Sequence, residues 1–147
     1  MRTRLLLITA LFALAALTPL TGVQAAGFRA RLSAPNHNPL ANKLWYIKVS
    51  ATTASGKPLR ATATYQFAFN GQVVATRYPS PASPCDETGG KHPYAFKGSY
   101  RDGLLFPARS TGIPLTLRVV VKVKGMGVKT LNWKVVVRKS RYSHCTR

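Results

Sequence analysis

Two cysteines, Cys85 and Cys145, are the most reactive side chains of the sequence, and the chain contains no others. In a protein exported from the cytoplasm, two cysteines generally form a disulfide bond. The bond would tie the loop around Cys85 to the C-terminal tail, and it requires Cα atoms within about 7 Å of each other. Two free thiols, or a bond to a second chain, are the alternatives.

The same cysteines, together with His92 and His144, form a set of side chains compatible with zinc. The spacing from Cys85 to His92 is wider than in the usual zinc knuckles. The adjacent His144 and Cys145 would point to opposite sides of an extended tail. We therefore expect no metal site and no cofactor. His37 lies in a loop rich in proline and asparagine and is expected to be solvated.

Acidic residues are too few for most carboxylate-dependent active sites, since the chain has only Asp86, Glu87 and Asp102. The first two are neighbours in a predicted loop. Asp102 precedes Gly103, so a role in a turn is predicted for it. No motif of a serine hydrolase or a zinc protease accompanies the histidines. The sequence therefore predicts a protein that is not an enzyme and has no catalytic residues.

Positive charge dominates the composition. The 147 residues include 22 Lys and Arg against 3 Asp and Glu, which gives a formal net charge of +19. Hydrophobic residues make up 46% of the chain, too many for a disordered basic tail. The charge therefore belongs to a folded protein, where it can keep a monomer soluble or attract an anionic partner.

The first 25 residues have the pattern of a secretory signal peptide. Arg2 and Arg4 precede an apolar run over residues 5–17, which is too short to span a bilayer comfortably. Residues 23–25 (Val-Gln-Ala) fit a cleavage motif. Cleavage would leave one domain, residues 26–147, with a charge of +17 after the loss of the two arginines. We expect a secreted or extracellular protein, with association with the cell envelope as a further option; an uncleaved membrane anchor is the alternative.

Alternation of apolar and polar residues predicts β-strands along most of this domain. The predicted strands cover residues 28–33, 43–53, 60–69, 72–78, 94–100, 104–106, 115–124 and 131–138. Residues 79–93 contain four prolines and are predicted to form a long loop. Asn70-Gly71 predicts a two-residue hairpin turn that places Val74 opposite Phe67 and on the core side. Frequent turn signals and the lack of a helical period predict an all-β sandwich of about seven to eight antiparallel strands in two sheets.

The last two predicted strands form a hairpin with a basic outer side. A three-residue loop at 125–127 keeps both apolar sets on one face and pairs Val121 with Leu131. In this register Arg118 lies directly opposite Lys134, a repulsive pair. The predicted basic stripe, a candidate anion-binding site, consists of Arg118, Lys122, Lys124, Lys134 and Arg138.

Two stretches resemble bacterial immunoglobulin-like domains. The first is Trp-x-Ile-x-Val at residues 45–49, followed by Gly-Lys-Pro-Leu at 56–59, and the second is Pro-Leu-Thr-Leu-x-Val-x-Val at 114–121. The resemblance covers about residues 43–139. It implies an immunoglobulin-like sandwich and an extracellular setting, and it implies no activity. Cysteines do not bracket Trp45 as they do in antibody domains, so that subclass is excluded.

The basic surface favours a non-enzymatic, secreted module that associates electrostatically with anionic envelope polymers or lipids. Specific nucleic-acid readout is not expected, because Trp133, the hairpin's one aromatic residue, points inward and leaves no exposed platform for bases. A solvated surface that only maintains solubility is the simplest alternative.

Two other classes of function are compatible with the sequence. The first is an extracellular protein–protein recognition domain that uses the 79–93 loop and the neighbouring Tyr94. The second, less favoured, is a small enzyme or metal protein that uses His92, His144 and Cys145.

Overall fold

The structure is a computed structural model that describes residues 27–146. The predicted signal peptide, residues 1–25, lies outside the described residues. The strands are β1 (Phe28–Ser33), β2 (Trp45–Thr53), β3 (Arg60–Phe69), β4 (Gln72–Arg77), β5 (Tyr94–Lys97), β6 (Ser99–Leu104), β7 (Pro114–Val123) and β8 (Gly127–Val136). Within the described range, the helical content is one short 3-10 turn, Ala108–Ser110.

The strands form two antiparallel sheets. One sheet has three strands in the order β1-β2-β6. The other has five strands, ordered β4-β3-β7-β8, with β5 paired to β3. β4 and β5 share one edge of β3, because β5 pairs with its first half and β4 with its second half. The predicted all-β fold, with antiparallel strands in two sheets, is confirmed.

The core lies between the two sheets, where every second residue of the long strands points inward. In β2, for example, Ile47, Val49 and Ala51 are buried while Lys48 is exposed. Further fully buried positions follow the same period in β3 and β7, among them Ala63, Tyr65, Leu117, Val119 and Val121. Burial of one side of each strand explains the alternation in the sequence.

The hairpin of β7 and β8 differs from the predicted register by two residues. The predicted pairing of Val121 with Leu131 is wrong, because Val121 lies opposite Lys129 and Leu131 lies opposite Val119. Side chains alternate with a period of two, so this shift leaves the apolar residues on the core side. The pattern of alternation is therefore the same in both registers.

The loop of this hairpin has three residues, but they are residues 124–126 and not 125–127. Met126 N donates a hydrogen bond to Val123 O at 3.1 Å, which closes a tight turn. Gly125 has a φ of 76° at the third position of that turn, where a left-handed backbone favours glycine.

A β-bulge changes the outcome at the hairpin of β3 and β4. The predicted two-residue turn is present, with positive φ at both Asn70 (48°) and Gly71 (84°). The register then shifts between Phe67 and Ala68, and Val74 is left out of the pairing. The prediction that Val74 faces the core opposite Phe67 is wrong, since Val74 is 60% exposed.

Residues 94–106 cross from one sheet to the other. The single strand predicted at 94–100 is divided at Gly98 into β5 and β6, which belong to different sheets. Gly98 has a φ of 74°, and a Cβ atom there would lie 2.8 Å from Pro58 Cβ, so only glycine fits. The short strand predicted at 104–106 is not separate, because β6 continues to Leu104.

Candidate anion-binding surface

The residues of the predicted basic stripe lie on and beside β7 and β8 of the five-stranded sheet, but they form two separate groups. Arg118 and Lys122 lie on β7 at outward positions between buried residues. Lys134 lies on β8, whereas Arg138 follows its end. Lys124 follows β7 and lies in the hairpin turn.

The predicted direct contact between Arg118 and Lys134 is wrong. Because of the register shift, Arg118 lies opposite Asn132 and Lys134 lies opposite Thr116. The guanidinium of Arg118 instead donates a hydrogen bond from Nη2 to Gly71 O at 3.1 Å. Arg118 is therefore directed toward the turn between β3 and β4, away from the other end of the stripe.

Lys122 and Lys124 belong to a different cluster, at the opposite end of the sheet. With Arg60 of β3 and Lys97 of β5 they line a shallow groove of about 660 Å³. All four side chains are exposed. Arg60 and Lys97 lie directly opposite each other across the two strands. We call Arg60, Lys97, Lys122 and Lys124 the basic groove.

Sequence reasoning missed half of the basic groove. Arg60 and Lys97 are 37 residues apart and become neighbours only because β5 pairs with the first half of β3. The available signal was the outward position of Arg60 in its alternating strand. Lys97 carried no comparable signal, since the partner of β5 is set by the chain crossing at Gly98.

The outer face of the three-stranded sheet is also basic. Lys48 of β2 lies directly opposite Arg101 of β6, and both are exposed. The Arg101 guanidinium lies 4.3 Å from the centre of the Tyr46 ring, a cation–π contact. Arg29 and Arg31 of β1 are exposed on the same side. Repulsive cross-strand pairs therefore exist in this protein, one on each sheet, at positions other than the predicted one.

Acidic side chains are absent from both outer faces as the structure describes them. Asp86 and Glu87 lie on the 79–93 loop and are exposed. The side chain and backbone of Thr88 donate hydrogen bonds to Asp86, and these hold the pKa of that carboxyl below its ordinary value. Asp86 is thus held by hydrogen bonds within the 79–93 loop, and neither acid of the loop lines the basic groove.

The third acid, Asp102, is buried. It lies within β6 and is 3% exposed, so its predicted role in a turn is wrong. Tyr65 donates a hydrogen bond to Asp102 Oδ2 at 2.9 Å, and Tyr100 donates to Tyr65 at 3.1 Å. The backbone N–H of Ser80 also donates to Oδ2, at 3.3 Å. Asp102 therefore connects both sheets to the start of the 79–93 loop.

Burial raises the pKa values of all three groups in this network. Desolvation is the largest cause for Tyr65, Tyr100 and Asp102 alike. The adjoining cavity measures only about 30 Å³. Sites for small molecules usually measure at least 300 Å³, so the network has no room for a substrate beside it.

The cysteines are joined by a disulfide bond between Cys85 and Cys145, with Cα atoms 5.7 Å apart. This agrees with the predicted pairing and leaves neither sulfur available as a thiolate. Leu44 N donates to Thr146 O at 2.8 Å, so the tail is also held by backbone contacts near β2. Within residues 27–146 there is no group of three or more His, Cys, Asp or Glu side chains that could hold a metal ion.

The three histidines differ in their surroundings. His92 and His144 are exposed, on the 79–93 loop and the tail respectively. His37 is not simply solvated, as was expected, because its ring stacks on Trp133 at 4.6 Å between centroids and its Nδ1 donates to Lys134 O at 2.7 Å. Trp133 packs against the core, and its Nε1 donates to Asn36 O at 3.2 Å.

No family model and no curated protein matches the sequence. Among solved structures, the chain is similar to a DUF4466 family protein from Parabacteroides merdae ATCC 43184, with a TM-score of 0.44 and 13% sequence identity. The match covers 76% of this chain and 45% of that chain, so this protein spans less than half the length of its structural neighbour. A likeness this distant assigns neither a family nor an activity.

Proposed function

We propose that the protein is a secreted, non-enzymatic sandwich domain that binds anionic polymers of the cell envelope through the basic groove. The observation that carries this proposal is the convergence of Arg60, Lys97, Lys122 and Lys124 on one groove without an acid on the same face.

The energetics of the groove favour an anionic occupant. Arg60 and Lys97 repel each other across the strands, and like charges in this position destabilise a sheet. A polyanion that lies along the groove would neutralise both charges and release its own counterions, which is the main source of affinity in such complexes. The groove is open and shallow, which suits an extended chain better than a compact small molecule.

The strand arrangement supports an immunoglobulin-like sandwich. In that fold the strands A, B and E share one sheet, and the strands C, F and G form the other. Here β1, β2 and β6 form one sheet, while β3, β7 and β8 lie side by side in the other. In this correspondence β3 is strand C and β6 is strand E, and β4 and β5 are the strands between them.

One observation supports a location outside the cytoplasm. The Cys85–Cys145 disulfide is of a kind that persists mainly in oxidising compartments. In the part of the chain that the structure describes, no helix is long and apolar enough to cross a membrane. A non-catalytic role is supported by the closed environment of Asp102 and by the bonded cysteines.

The test is binding of the mature chain, residues 26–147, to soluble polyphosphate over a range of NaCl concentrations. We expect affinity to fall steeply with salt, by roughly 0.7 to 0.9 units of log-log slope for each cation in contact. A variant with Gln at Arg60, Lys97, Lys122 and Lys124 should bind much more weakly and show a slope smaller by roughly three units.

The matched control replaces four cations of the other sheet, Arg29, Arg31, Lys48 and Arg101, with Gln. It loses the same charge and also one repulsive pair, so only the position of the charges differs. Equal losses in both variants would show that the groove has no special role. Absence of polyphosphate binding at low salt would refute the proposal and favour recognition by the 79–93 loop.

A further inference from the structure

The end of the five-stranded sheet opposite the basic groove exposes large apolar side chains. Phe69 is 39% exposed, Val74 is 60% exposed and Ile113 is 38% exposed. All three line one shallow groove of about 440 Å³, together with Gly112, Pro114 and Leu115. We call Phe69, Val74 and Ile113 the apolar tip. Contiguous apolar surface with a charged rim is a feature of many interaction sites.

A β-bulge in β4 accounts for the exposure of one of these side chains, Val74. Phe67 packs inward, with its ring centroid 5.9 Å from that of Phe106. Phe69 is the last residue of β3, where it lies opposite Gln72 and is exposed. Val74 is the residue left unpaired on the partner strand. Bulges commonly redirect side chains next to functional sites.

Cations lie on the segments that neighbour the apolar tip. Arg118 reaches the β3–β4 turn through its hydrogen bond to Gly71 O, and Gly71 is two residues from Phe69 in the sequence. Lys134 is exposed and lies opposite Thr116, two residues from Pro114 of the tip groove. Arg109 lies on the 3-10 turn that precedes Gly112. The segments that build this end, residues 60–77 and 105–138, contain no acidic residue.

We infer that the apolar tip inserts into the interfacial region of a lipid bilayer that contains anionic lipids, with Arg118 and Lys134 against the headgroups. Apolar insertion and basic attraction are the two signals that together give stable peripheral binding. The inference rests on the proposed function only in that the same net charge draws the protein toward an anionic surface. The site is a different one, about the length of β3 away from the basic groove.

Charge complementarity selects the bilayer over a second copy of the chain. Two tips in contact would bring Arg118 and Lys134 of both copies together with no acid to compensate, which is unfavourable. An anionic lipid surface offers an apolar layer for Val74 and Ile113, and its outer layer carries negative charge at the depth of the cations.

The experiment is co-sedimentation of the mature chain with two kinds of vesicles. One kind is made of equal parts of phosphatidylcholine and phosphatidylglycerol, and the other of phosphatidylcholine alone. The test variant combines Val74→Ser and Ile113→Ser. The matched control is Val128→Ser, a valine of β8 that is 56% exposed and lies opposite Lys122, next to the basic groove. Thermal unfolding of each variant confirms that it is folded.

We expect the wild type and the Val128→Ser control to bind the anionic vesicles equally and the double variant to bind on the order of tenfold more weakly, because it exposes less apolar surface to the bilayer. All three proteins should bind polyphosphate alike. The inference is overturned if the double variant binds the vesicles as well as the wild type does. It is also overturned if the wild type is a dimer and the double variant is a monomer. If the protein binds polyphosphate but not vesicles, only the inference about the apolar tip is contradicted. If it binds vesicles but not polyphosphate, only the proposed function of the basic groove is contradicted.

Discussion

The buried carboxyl of Asp102 should give the stability of this protein a distinctive pH dependence. Burial raises its pKa, so above about pH 4 the unfolded chain releases a proton that the native protein still holds. The free energy of unfolding therefore falls as the pH rises from that point through the native pKa. Asp102→Asn removes this titration. We expect the stability of the wild type relative to the variant to be greatest below about pH 4 and to decline above it.

Urea unfolding of both proteins at a series of pH values measures this difference. Asp86 and Glu87 are present in both proteins, so their own titration cancels in the comparison. Parallel curves for the two proteins would mean that the carboxyl of Asp102 titrates alike in the folded and unfolded states.

Single residues were the hardest feature to predict from sequence. Asp102 was assigned to a turn because it precedes Gly103, a local signal. Its actual environment depends on Tyr65, which is 37 residues away and on the other sheet. Asp102 lies in the same alternating phase as the buried Tyr100 and Leu104, which is the sequence evidence for its burial. The predicted strand ended at Tyr100, so this evidence was not used.

Cross-strand pairs of like charge are the feature to test at the level of elements. Lys97→Gln removes the charge opposite Arg60, and we expect the free energy of unfolding to rise by a few tenths of a kcal/mol at low ionic strength. The gain should disappear at about 1 M salt, where exposed charges are screened. Chemical unfolding at the two salt concentrations measures it. Lys134→Gln is the control, since Lys134 lies opposite Thr116, and an equal gain there would indicate a general effect of net charge.

Alternation predicted the strands and their faces because burial of one side imposes it, but it could not fix the register. A shift by two residues preserves the faces, so the three-residue loop of β7 and β8 was placed one residue too late. The bulge between Phe67 and Ala68 had no such sequence signal. The bulge leaves Val74, which was predicted to face the core, exposed in the apolar tip. The sequence therefore identified candidate anion-binding residues on the β7–β8 hairpin, such as Lys122. It did not identify Arg60 and Lys97, which line the basic groove beside Lys122.

At the scale of the molecule, the Cys85–Cys145 bond should supply much of the stability. It closes a loop with a sequence separation of 60 residues. Chain entropy predicts that the double Cys→Ser variant loses about 4 kcal/mol of unfolding free energy, because its unfolded chain is less constrained. Urea unfolding of this variant and of the wild type, with and without reductant, measures the loss. A variant as stable as the oxidised wild type would show that the backbone contacts of the tail suffice to hold it.

The fold class was predictable because the whole chain repeats one simple pattern, polar outside and apolar inside. The division of strands between sheets was not, since it depends on the crossing at Gly98 beside Pro58. Two outer faces of the same sign follow from a composition with 22 basic and 3 acidic residues. The grouping of those charges into a basic groove follows only from the pairing of β5 with β3.

The disulfide also makes a covalent ring that contains β5, β6, β7 and β8. Many of the exposed lysines and arginines lie inside this ring, including Lys97, Lys122 and Lys124. A trypsin-like protease that cuts the chain once within the ring would leave two pieces still linked through sulfur. The nicked protein would migrate as an intact chain until it is reduced, and the cut ends would stay close enough for the sheets to remain assembled. A domain built in this way can tolerate damage in protease-rich surroundings that would release fragments from an unbridged sandwich.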